Sequence, residues 1–148
     1  MSAIAEMFGC IGKNIMQHAV AGNSTTERGY LPTAGTKSIS VVCPITTGHG
    51  TAMTLTLKTA DDAAGTNTTV LTENVAVYLN GVRQADAKAG TVPNTYYALG
   101  GVYLKNVIVF EVPSILIPTG KYLGIACDSG SASNVYSAIA LEDTFYKG

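Results

Sequence analysis

The side chains that could do chemistry are few, and their spacing does not assemble a reaction centre. A hydrolytic nucleophile needs a Ser, Cys or Thr with a base and an orienting group beside it. The chain holds 2 histidines, His18 and His49, and His49 stands in Gly48-His49-Gly50, where a turn accounts for it. Two-carboxylate acid–base chemistry would draw on Asp61, Asp62, Asp86 or Asp128. All four lie among turn residues, where Asp is favoured because its side chain bonds nearby backbone. No Gly-rich phosphate loop or dinucleotide fingerprint is present in the sequence. The chain therefore reads as a non-enzyme without a cofactor. A small β-barrel enzyme resting on His49 and neighbouring carboxylates is the minor alternative.

Metal and sugar chemistry fare little better. Asp61, Asp62 and Asn67 carry oxygens suited to calcium, but their spacing matches no EF-hand. A solvated loop is the plainer reading, and whether that loop takes calcium stays open. Cys10, Cys43 and Cys127 lack the C-x₂₋₄-C spacing of zinc sites, and no metal ligand is assigned. Three is an odd number of cysteines, so a complete intrachain disulfide framework is excluded. Cys43 and Cys127 each end an apolar run and read as buried reduced thiols; a bridge between them is left open. Tryptophan, the usual flat platform for sugar rings, is absent, whereas there are 8 tyrosines. The densest group, Tyr96, Tyr97 and Tyr103, reads as an oligomer interface ahead of a sugar platform.

The elements that must position these residues are bounded by composition. A chain of 148 residues fits one domain. Charged residues make up 13% of it, against roughly 25% in an ordinary soluble domain. With a net charge of −1, the chain has nothing to hold a phosphate backbone or an anionic membrane surface. Neither nucleic acid nor membrane is an expected partner. A polar, barely charged surface favours association, so much of it is expected to meet other protein. Glu6 stands where a secretory signal carries bases, and no run reaches the ~18 apolar residues of a membrane span. Synthesis in a reducing cytoplasm is the expectation.

The chain divides near Ser38. Before it, Ile4, Met7, Phe8, Ile11 and Ile15 recur at three- and four-residue steps, predicting one helical stripe. Gly9 and Gly12 weaken that stripe, so residues 1–37 read as a helical or extended arm and connector needing a partner surface, either the chain's own domain or a neighbour. Residues 38–148 read as the folded domain. Met53-Thr54-Leu55-Thr56-Leu57-Lys58 alternates as a half-buried strand should, and so does Val75-Ala76-Val77-Tyr78-Leu79. Residues 103–112 hold a continuous apolar run suited to a central strand buried on both faces. Further strands are predicted at 39–43, 70–72, 96–99, 121–127 and 135–141. Asn80-Gly81 is a strong hairpin signal between Leu79 and Val82. About seven or eight short strands with regular turns predict an all-β, antiparallel β-sandwich.

Together these features carry a resemblance. An apolar N-terminal arm precedes a Thr-, Gly- and Ala-rich, tryptophan-free strand region. Within that region stand Leu55-Thr56-Leu57-Lys58-Thr59-Ala60-Asp61-Asp62, Asn67 and Leu79-Asn80-Gly81. This resembles the capsid decoration, or cement, proteins of tailed bacteriophages, which have a jelly-roll-like fold. The resemblance covers most of the chain from Ser38, in style and not through a diagnostic motif. It implies a virion protein without catalytic residues, assembled in the host cytoplasm. A homo-dimer or homo-trimer would seat on the outer capsid and bridge neighbouring major capsid subunits. The stripe Ile4, Met7, Phe8, Ile11 and Ile15 is then where docking contacts are expected. A receptor- or carbohydrate-binding head, lectin-like or a trimeric jelly roll, is the alternative of the same fold class.

Overall fold

Period-two burial marks the core-forming stretches 39–45, 53–57, 108–112 and 136–140. The computed structural model describes residues 12–21, 29–48, 53–83, 95–98, 104–129 and 131–144, with backbone alone for 12–21, 95–98, 104, 129 and 144. Its strands run in the order β1 (Gly12–Ala21), β2 (Leu31–Pro32), β3 (Thr36–Thr47), β4 (Met53–Ala60), β5 (Thr69–Val70), β6 (Ala76–Leu79), β7 (Val82–Arg83), β8 (Thr95–Ala98), β9 (Leu104–Pro113), β10 (Tyr122–Ser129) and β11 (Val135–Thr144). A 3-10 turn, η1 (Ser114–Leu116), follows β9.

Two antiparallel sheets result. One has 6 strands in the order β1-β11-β3-β9-β6-β7; the other has 5, in the order β2-β10-β4-β5 with β8 also on β4. Beside β4, Met53–Thr56 pair with β8 while Lys58 and Thr59 pair with β5, so two short strands share one edge. The pairings nest. β1 lies with β11, β2 with β10, β3 with β9 and β4 with β8. β11 beside β3 and β10 beside β4 then join these pairs into the two sheets, and β6 with β7 extends the first beyond β9 while β5 borders β4 in the second.

One core joins the sheets. Ile39, Val41, Cys43 and Ile45 of β3, with Ile108, Phe110 and Val112 of β9, meet Met53, Leu55 and Leu57 of β4 and Leu123 and Ile125 of β10. Each set is spaced by two residues, the period that sends alternate side chains to one face. Full burial of such side chains contributes roughly 1.5–3 kcal/mol each before ordering costs. The fold is thus all-β and sandwich-like.

Local chemistry closes the ends. Asn80 and Gly81 take φ of 49° and 83°, the left-handed pair that a tight hairpin between β6 and β7 requires. Asn80 also binds β9: its N–H donates to the Val107 carbonyl at 2.8 Å, and its Oδ1 accepts from the Val107 N–H at 2.8 Å. Asn134 is fully buried, and its Oδ1 accepts the Gly48 N–H at 3.1 Å, tying the end of β3 to the start of β11.

The N-terminal expectation needs correcting. Residues 12–21, Ile15 among them, form strand β1 rather than part of a helix, and Ile15 is the register partner of Ile139. Register shifts between Ile15 and Gln17 and between Gln17 and Val20 break the alternation that would have marked a strand. β2 and the buried Tyr30 also enter the structure ahead of Ser38, and β3 opens at Thr36. Among the described residues there are eleven strands, against the seven or eight expected, because β1 is hidden by its bulges and the shortest pairings carry no periodic signal.

Candidate functional site

The feature that stands apart is the outer face of the six-stranded sheet. On β11, the small residues Ala138 and Ala140 enter the core with Tyr136, while the larger Ile139 and Leu141 lie on the opposite side. Ile139 is in register with Val42 of β3, Val42 with Val109 of β9, and Val109 with Tyr78 of β6. That is an apolar row across four strands, away from the core. Beside it, Pro44 pairs with Val107, which is 41% exposed. On the row's other side, Leu141 pairs with Ser40 and Ser40 with Glu111.

The outer face of the other sheet is built differently. There Asp128 pairs with Thr54, Ala126 with Thr56 and Gly124 with Lys58. Thr, Asp and Lys suit a solvated face, whereas Val42, Val109, Ile139 and Leu141 do not. Val42, Tyr78, Val109, Ile139 and Leu141 are each half-buried, so the row is apolar and partly open to solvent. A shallow depression of ≈ 290 Å³ lined by Ser38, Ile39, Ser40, Glu111, Val112 and Pro113 lies at its edge. Just beyond, Ile115 of η1 is 89% exposed.

The Asp61–Asp62 loop is organised by its own hydrogen bonds. Asp62 Oδ1 accepts from the N–H groups of Ala64 and Thr66, both at 3.0 Å, and Oδ2 accepts from the Thr66 hydroxyl at 2.7 Å. Asp61 accepts from Asn67 Nδ2 at 2.8 Å and from the Lys121 ammonium. The Thr66 hydroxyl, then neighbouring N–H groups, holds the Asp62 carboxyl below the ordinary carboxylate range. Hydrogen bonds from Lys121 and then Asn67 do the same for Asp61. The carboxylate oxygens thus serve to shape the turn. Among the described residues, no three His, Cys, Asp or Glu side chains gather as a metal site.

Cys43 and Cys127 are free thiols. Cys43 is buried in the core and Cys127 packs against it from β10. Burial, with a smaller contribution from Asp128, pushes the Cys127 thiol up to about 12. Burial, and then the neighbouring Cys127, raises Cys43 as well. Neither is an activated nucleophile.

Several sequence-derived positions fall elsewhere. Ile4, Met7, Phe8, Ile11, Tyr103, His49 and Asp86 lie outside the described residues. Tyr96 and Tyr97 sit in β8, in register with Leu55 and Thr54 at the edge of the five-stranded sheet. Sequence reasoning missed the outer row. Its signal was present in the unbroken apolar run of β9 and in the inverted sizes of Ala138, Ile139, Ala140 and Leu141. No protein-family model matches the chain, and no curated protein matches it.

Proposed function

We propose that the protein is a structural virion component, a jelly roll that binds the outside of a phage capsid and stabilises it by bridging neighbouring major capsid subunits. The nested strand pairing supports the jelly-roll part of this reading. Pairing β1 with β11, β2 with β10, β3 with β9 and β4 with β8 is the order obtained when one long antiparallel hairpin rolls into two sheets. Two Greek keys of that kind make a jelly roll, the architecture of many viral capsid and lectin domains. Fold alone assigns no function. The weakly charged composition and the apolar outer row add independent support, since both suit a molecule covered by other protein.

The mechanism is bivalent binding. Once one capsid subunit is held, the second contact is intramolecular and gains from effective concentration. The capsid contacts fall to Ile4, Met7, Phe8 and Ile11, the apolar residues that lead into β1. Partners are the major capsid protein and further copies of this chain, and the reading gives the protein no reaction of its own.

The test is co-sedimentation with empty shells assembled from the major capsid protein whose gene neighbours this reading frame. Saturable pelleting is expected, and its loss on deleting residues 1–11, which leaves β1 intact, places the contacts. A folded protein that stays in the supernatant overturns the reading, as does the absence of a capsid gene nearby. Glycan binding by the isolated protein would favour the lectin-like head instead.

A further inference from the structure

We infer that the outer face of the six-stranded sheet docks a second copy of this chain across a two-fold axis, with the two β9 strands antiparallel. The inference rests on the reading above that protein, and not solvent, covers this surface. Three observations carry it: a half-covered strand, the charges along it, and the size of the face.

The 103–112 run has the composition of a strand buried on both sides, yet among its described side chains only Ile108, Phe110 and Val112 are fully buried, while Val109 is half-buried and Val107 exposed. Val107 and Val109 belong to the other side, in line with Pro44, Val42 and Ile139.

On that same side β9 carries opposite charges at its two ends, Lys105 and Glu111, both exposed. The Tyr78 hydroxyl donates to Glu111 Oε2 at 3.4 Å and holds the carboxylate at this face. An in-plane two-fold axis crossing β9 at Ile108 lays Val107 of one copy on Val109 of the other. The same rotation sets Lys105 of each copy against Glu111 of its mate. Such an isologous contact is self-complementary, because residue i meets j and j meets i. A parallel stacking would instead set like charges together. A strongly charged partner would find a row with no ionised side chain.

The face is large enough. Strands β1, β11, β3 and β9 have 10, 10, 12 and 10 residues. At about 4.8 Å between strands and about 3.4 Å per residue they cover roughly 650 Å², or about 1,300 Å² for a pair of copies, within the usual range for stable interfaces.

Sedimentation velocity of the full chain, without any capsid, tests the proposal. A dimer is expected at micromolar concentration. Lys105→Glu and Glu111→Lys each bring like charges together and should weaken it at least about tenfold, and the double exchange should restore it. Val109→Glu should leave a monomer. If that variant misfolds, the two exposed charge exchanges still decide the matter. A monomeric wild type, a trimer, single exchanges without effect, or a double exchange no better than the singles would each overturn the inference. Pelleting with shells is scored separately. A dimer that ignores shells sinks the capsid reading alone, and a shell-binding monomer sinks only the dimer.

Discussion

The ring of Tyr30 rests on Gly124. A Cβ at position 124 would come within 2.3 Å of both Cδ1 and Cε1 of that ring. On the ring's opposite edge, a Cβ at Gly65 would come within 2.9 Å of Cε2. Tyr30 is 1% exposed, held between a β10 glycine and a glycine of the 61–68 loop. The contact joins the segment entering β2, the outer side of the five-stranded sheet and the Asp61–Asp62 turn.

Gly124→Ala should therefore cost about 1–3 kcal/mol, the usual range for forcing extra atoms into a packed site. Thermal or urea unfolding measures it. In a Tyr30→Ala background the same change should cost far less, since the ring it strikes is gone. Equal costs in both backgrounds would contradict the clamp.

The 61–68 loop should respond to acid with a definite sign. Asp62 has its carboxyl pKa lowered by folding, so its contribution is complete above the unfolded value of about 3.9 and is lost as pH falls through the lower folded value. Asp62→Asn should lower the melting temperature at pH 7, and the gap to wild type should close in acid. A gap unchanged between pH 7 and pH 2 would show that the charge plays no part.

Thiol chemistry gives a third check. Cys127 is pushed up to about 12, and Cys43 is raised also. At pH 8 iodoacetamide should label both far more slowly in the folded chain than in guanidinium, as read by peptide mass mapping. Because folding raises these values above about 8.5, the stability they carry is complete below that pH and declines as pH rises above it. Rapid labelling of Cys43 in the folded protein would contradict its placement in the core.

Legibility followed the range of the interactions. The Met53–Lys58 alternation and the Asn80-Gly81 turn are local signals, and each became the element it predicts; the 103–112 run became strand β9, but with one face in the core and Val107 exposed on the other, not buried on both. β1 failed because its bulges erase the period of two. Tyr30 on Gly124 joins residues 94 positions apart (124 − 30) and leaves no local trace. The apolar row was half legible: single strands carry Val109 and Ile139, but only the register sets them side by side with Val42.

The claim that this chain braces a viral shell is tested most directly by calorimetry of the shells themselves. Added protein should raise the temperature at which empty shells rupture, saturating as sites fill. A rupture temperature unmoved by a folded, equimolar excess of the protein would contradict the account.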